Sequence, residues 1–186
     1  SVQELIALAK AKPGQLNYAS SGSGSSAHLA AELFKSMAGV NLTHVPYKGG
    51  GPAVTSLVGG ETVVGFATAP SVIQQIKSGR LRGLAVTTLK RTAAAPELPT
   101  IAESGVPDYD ANTWYGALAP AKTPTPVITR LHAEFVKIMQ SADILDRIAV
   151  LGYEASTGTP QQFAAYIKAE VAKWGKVVKA TGIRAD

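Results

Sequence analysis

The chain has 186 residues, 46% hydrophobic and 17% charged, which suits one ordinary domain or two small lobes with a real core and argues against a disordered chain. It contains no cysteine, which excludes a disulfide scaffold, a thiol nucleophile and a thiolate metal site. The formal charge of +5 comes from scattered Lys and Arg without a clustered stripe or a nucleic-acid-binding module, so no nucleic-acid partner is expected, and no apolar run approaches bilayer length.

The first residue is Ser rather than Met and no signal peptide is present, so either a leader was removed or the chain begins inside a larger protein. Val2, Leu5, Ile6 and Ala9 recur at helical spacing over 2–11, behind a Ser1/Glu4 capping-box pattern. Pro13-Gly14 breaks the chain, Leu16–Ala19 reads as a strand, and a Ser/Gly loop leads to a helix over 26–38 that Gly39 stops. Leu42–Tyr47 is the next predicted strand. Gly49-Gly50-Gly51-Pro52 opens a helix that ends at Gly59-Gly60. Thr62–Thr68 is a strand, Pro70 starts a helix that Gly79 stops, and Leu81–Thr87 is a further strand. This alternation predicts an α/β fold with a mostly parallel sheet and right-handed crossovers.

Residues 88–112, punctuated by Pro96, Pro99 and Pro107, read as a long surface connection with at most a short helix near Ile101–Ser104. Thr113–Ala119 is predicted as a strand, followed by one short strand and helices near 125–140, 142–151 and 160–181. Trp114 and Trp174 are expected in the core. A boundary near 112 divides the chain into 1–112 and a strand-poor 113–186, which would complete a domain whose other elements lie elsewhere.

The candidate chemistry lies in three strand-to-helix loops. Ser20, Ser21, Gly22, Ser23, Gly24, Ser25 and Ser26 precede a helix N-terminus, where free amides and the helix dipole favour an anion and glycines permit close approach. No Lys or Arg lies in that loop, so a carboxylate would be held by neutral dipoles. The alternative is an ordinary serine-capped helix after a flexible turn. Tyr47, before the next glycine cluster, either covers a small ligand or is a partly buried turn residue. Thr68 belongs to the third loop, Phe66–Ser71, and all three loops are expected at one sheet edge.

A P-loop lacks its Lys, a dinucleotide loop lacks its third Gly, and a nucleophile elbow lacks its flanking glycines. His28, His44 and His132 lie on separate elements without metal-ligand spacing, and no cofactor is expected. No carboxylate pair has general acid–base spacing. A hydrolase would need a base beside a loop serine, and His28 is the only nearby candidate.

Ala19–Leu29, Val45–Gly49, Leu81–Thr87 (with Gly83 where Ala is usual), Pro99–Glu103, Trp114–Gly116 through Ala119–Ala121, and Trp174–Ile183 together resemble the Bug-type solute-binding proteins of tripartite tricarboxylate transporters. The resemblance runs through essentially the whole chain. It implies a periplasmic type II (flytrap) binding protein, monomeric at full length, that delivers a carboxylate to integral-membrane permease subunits and is not an enzyme. It also implies a missing N-terminal part, with 1–112 as most of the second lobe and 113–186 as the C-terminal share of the first. By position, the Ser20–Ser26 loop would hold the ligand carboxylate. Ala67 stands where the family often carries an Asp, which favours an unsubstituted mono- or dicarboxylate over an amino acid. A sensory module on the same fold is a third reading.

Overall fold

A computed structural model describes residues 1–184. Helix α1 (Val2–Ala11) carries the predicted capping box: Ser1 Oγ accepts from the Glu4 amide while the Glu4 side chain returns to Ser1. Strands β1 (Asn17–Ser20), β2 (Thr43–Pro46) and β3 (Val64–Gly65) form a parallel sheet in the order β2-β1-β3. Helices α2 (Ser26–Ala38), α3 (Gly50–Gly59) and α4 (Ala69–Lys77) follow them in turn. The chain steps from β1 to β2 and then back past β1 to β3, so right-handed crossovers put α2 and α3 on opposite faces. Side chains agree. The Tyr18 hydroxyl of β1 donates to Glu32 on α2 at 2.7 Å, whereas a Cβ at Gly65 of β3 would collide with Leu57 of α3.

The core lies on the α2 face. Tyr18, Phe34, Leu42, Phe66, Ile101, Val106 and Tyr109 are buried there, and Phe34 packs against the rings of both Phe66 and Tyr109. Each large apolar side chain so enclosed contributes about 1.5–3 kcal/mol. The Tyr109 hydroxyl donates to the Ala30 carbonyl at 2.8 Å, which stitches the chain after residue 100 to α2. Burial, then the bond to Glu32, pushes the Tyr18 phenol far above its usual range and keeps it a donor.

Several expectations fail here. Residues 88–112 are not a surface connection, because Ala95, Thr100, Ile101, Val106, Tyr109 and Ala111 are buried. The prolines shape turns that drive apolar side chains inward. Leu81–Thr87 is no strand and makes only a single bridge, Val86 with Thr100. Thr113–Ala119 forms no strand and is mostly exposed; a strand needs a ladder, and no neighbouring strand is present among the described residues. The short strand expected after it is likewise missing from the described residues. β3 is shorter than expected because Thr62 bonds Ser56 and Val63 bonds the Asn17 side chain. Trp114 is 37% exposed, with its ring edge-on to Phe163 and Tyr166, whereas Trp174 packs against the core.

Helices α5 (Thr125–Met139), α6 (Ala142–Val150) and α7 (Pro160–Thr181) complete the chain. α7 starts on a capping box between Thr159 and Gln162, and it packs against α2. α5 and α6 bury no residue fully, and Leu131, Phe135, Ile138 and Leu145 stand exposed on them.

One local device carries a pH prediction. Thr100 and Glu103 cap one another, with Thr100 N–H donating to Glu103 Oε2 at 3.0 Å and Glu103 N–H to Thr100 Oγ1 at 2.9 Å. The Thr100 amide, then Arg91, holds the Glu103 carboxyl below its ordinary value of 4.5. A depressed carboxyl stabilises the fold above that ordinary value and loses its contribution as pH falls through the lowered one. Glu103→Gln is therefore expected to flatten the acid limb of a stability–pH curve from thermal melts by lowering stability near neutrality, with little change in strong acid.

Candidate functional site

Parallel pairing brings the three strand ends together, so the loops after β1, β2 and β3 share one sheet edge, as their positions in the sequence suggested. Tyr47 N–H donates to Ser20 O at 3.0 Å and Gly49 N–H to Ser21 O at 3.2 Å, tying the second loop to the first. In a β2-β1-β3 sheet the strand order reverses between β1 and β3, where open α/β sheets form their ligand crevice. The loops bearing Ser20–Ser26 and Thr68 flank that point. Helices α2, α3 and α4 all start on this edge, so three positive dipole ends face it. Lys48, exposed, is the one cation in these three loops.

The first loop is shaped by glycine and closed by serine. Gly22 has φ +131° and Gly24 φ +72°, regions that side chains disfavour. Gly22 N–H donates to Ser20 Oγ at 3.2 Å, Ser25 N–H to Gly22 O at 3.2 Å, and Gly24 N–H to His28 Nδ1 at 3.1 Å. Ser25 is the N-cap of α2, its Oγ accepting from His28 N–H. Among the described residues, the amides of Ser23, Ser26 and Ala27 donate to no protein acceptor, and the hydroxyls of Ser21, Ser23 and Ser26 are uncommitted. Two serines thus build the loop and three keep hydroxyls for something outside it. Gly22→Ala is expected to cost about 1–3 kcal/mol, the range for a residue forced into a sparse backbone region, read as a lower denaturation midpoint.

Ser20 is only 1% exposed, and its Oγ lies 2.6 Å from His44 Nε2. It stands behind the loop rather than on its rim. His44 is thus the histidine whose ring meets Ser20, while the hydrolase reading named His28. His28 serves the Gly24 amide, and a serine this enclosed offers a substrate no line of attack. The Ser20–His44 contact depends on the register that sets Tyr18 opposite His44, which no sequence spacing announces. No group of His, Asp and Glu able to hold a metal exists among the described residues.

Tyr47 is half-buried in the second loop, and Thr68, also half-buried, is the N-cap of α4. A pocket of about 130 Å³ adjoins the first turn of α2, walled by Ser26, Leu29, Asn112, Thr113, Trp114 and Trp174 among others. Asn112 and Thr113 went unnoticed in the sequence because the pair straddles the end of the stretch read as a connection and the start of the predicted strand Thr113–Ala119. Glu170 braces this wall, with Oε2 accepting from Trp174 Nε1 at 2.9 Å and from Trp114 Nε1 at 3.3 Å. Among the described residues no helix is long and apolar enough to cross a membrane.

This architecture has close counterparts. The structure described as "R. palustris Rpa4515 with adipate" is 39% identical, superposes with a TM-score of 0.91, and is matched over 98% of this chain and 61% of its own. The periplasmic binding protein BugD is 32% identical with a TM-score of 0.84, over 100% and 62% of the two chains. MatC from Rhodopseudomonas palustris, with bound malate, is 26% identical with a TM-score of 0.80, over 96% and 62%. The fold is therefore that of periplasmic binding proteins of this type, and such neighbours are solute binders. The chain spans about half the length of the curated relatives it matches. Residues 1–183 match the model of the tripartite tricarboxylate transporter family receptors, TctC, and the chain belongs to that family.

Proposed function

We propose that this chain captures a small mono- or dicarboxylate in the periplasm for a tripartite tricarboxylate-type membrane transporter, as a receptor and not an enzyme. The observation that carries the reading is the set of uncommitted amides at Ser23, Ser26 and Ala27, presented at a strand-order reversal where three helix N-termini meet. Such donors hold a carboxylate without a fixed countercharge, which suits a ligand that must be handed on. Ser21, Ser23 and Ser26 add hydroxyls, Tyr47 covers the ligand, and Thr68 meets it from across the crevice. Ser20, Gly22, Gly24 and Ser25 set the loop's shape. The adipate and malate named for two structural neighbours support a dicarboxylate.

Residues 1–112 form one ligand-binding lobe and 113–186 contribute to the other, with full-length protein monomeric and docking on permease subunits. The apolar side chains left exposed on α5 and α6 support a lobe completed by further elements. Titration calorimetry of the full-length protein with adipate and malate tests the reading. It predicts one site per chain and no product by NMR. Turnover of either acid, or no heat with any small carboxylate, would end it.

A further inference from the structure

We infer that His28 is the positioning residue of the carboxylate loop, fixing its turn through an unprotonated Nδ1, so that carboxylate affinity falls when this ring is protonated. The inference rests on the carboxylate reading above, but its effect on the loop is measurable without ligand.

A backbone N–H can only donate. The 3.1 Å contact from Gly24 therefore makes His28 Nδ1 an acceptor, and the neutral ring carries its proton on Nε2. The bond spans Gly24, the residue at φ +72°, and His28 in the first turn of α2. His28 is 8% exposed, and its ring stacks on His44 with centroids 3.9 Å apart and planes 18° apart. His44 Nε2 lies 2.6 Å from Ser20 Oγ, which meets both the amide and the carbonyl of Gly22. Two stacked imidazoles thus join Ser20, Gly22 and Gly24, the points where the loop turns. The amides of Ser23, Ser26 and Ala27 are presented by that turn.

Protonation of Nδ1 sets two donors face to face and removes the Gly24 bond. Rings 3.9 Å apart also take a second charge only at high cost. The surrounding charges are already engaged. From β1, Tyr18 stacks on His44 and its hydroxyl donates to Glu32. On α2, Lys35 pairs with Glu32 at 2.6 Å. α7, packed against α2, brings Lys173 and Glu170, which are engaged with Asp110 and the two indoles. An imidazolium acting as a countercharge to the ligand would tighten binding in acid, so the sign of the pH effect separates the two roles.

The test combines nitrogen-15 NMR of the His28 ring and the Gly24 amide with adipate calorimetry on the full-length protein, from about pH 8 to about pH 5.5, the span of histidine titration. His28→Asn is the control variant, because Asn Oδ1 lies near the place of Nδ1 and does not titrate. The Gly24 resonance is expected to move with His28 titration. Wild-type affinity is expected to fall about five- to tenfold on acidification, the worth of one hydrogen bond. His28→Asn keeps near-neutral affinity with a flat profile, and His28→Ala is weak throughout. A protonated Nδ1 at the alkaline end, affinity that rises in acid, or a wild-type profile in His28→Asn would overturn the inference. If no small carboxylate binds at any pH, the carboxylate reading fails, and the Gly24 resonance still decides what His28 does to the loop.

Discussion

Ser26→Pro is expected to weaken adipate binding about tenfold to a hundredfold while leaving the melting temperature nearly unchanged, the loss matching one or more hydrogen bonds to a charged group at about 1.5–3 kcal/mol each. Ser26 is the first residue of α2, the one helical position where proline fits without clash. The residue before it, Ser25, has φ −66° and ψ 161°, the extended conformation that a following proline requires. The substitution therefore removes an amide and a hydroxyl from the proposed site and nothing from the helix. Ser25→Pro is the useful contrast. It removes the Ser25 N–H bond to Gly22 O and the N-cap hydroxyl, so binding and melting temperature should fall together. Calorimetry beside differential scanning fluorimetry separates the two. Unchanged affinity in Ser26→Pro would move the carboxylate elsewhere.

Phe34→Ala is expected to destabilise the fold by about 3–5 kcal/mol, the range for a large aromatic side chain removed from a packed core. Phe34 is 1% exposed and lies between Phe66, at the start of the third loop, and Tyr109, from the stretch after residue 100. Its loss opens a cavity where three separate segments meet. Phe135→Ala should shift stability by less than about 1 kcal/mol in this chain, as exposed positions do, because that ring is 50% exposed on α5. Guanidinium denaturation midpoints with unchanged slopes would show both effects. The same Phe135 substitution in full-length protein should cost more if further elements cover α5.

What the sequence exposed and what it hid divide along a physical line. Capping boxes at Ser1/Glu4 and Thr159/Gln162, and the glycine after Ala38, are local signals, and the helices they bound came out where expected. β1 and β2 were legible because each short apolar run sits between turn signals and pairs with its neighbour. Leu81–Thr87 and Thr113–Ala119 carry the same kind of pattern, yet a strand is a property of two segments, and neither has a ladder partner among the described residues. Tyr109 and Ile101 were hidden behind prolines that suggested a surface path. The loop's outline was readable as serine and glycine before a helix. Its division into structural and uncommitted serines was not, because Ser20 is claimed by His44 across the sheet. His28 and Gly24, four residues apart at a helix start, were the one part of that network within reach of sequence reasoning.

The most direct test is a crystal structure of the full-length protein with adipate. The account predicts one carboxylate within about 3 Å of the Ser26 and Ala27 amides, ordinary hydrogen-bond distance, with Ser23 or Ser21 adding a hydroxyl and Ser20 still bound to His44. Adipate held by other groups, with those amides facing solvent or covered by protein, would contradict it.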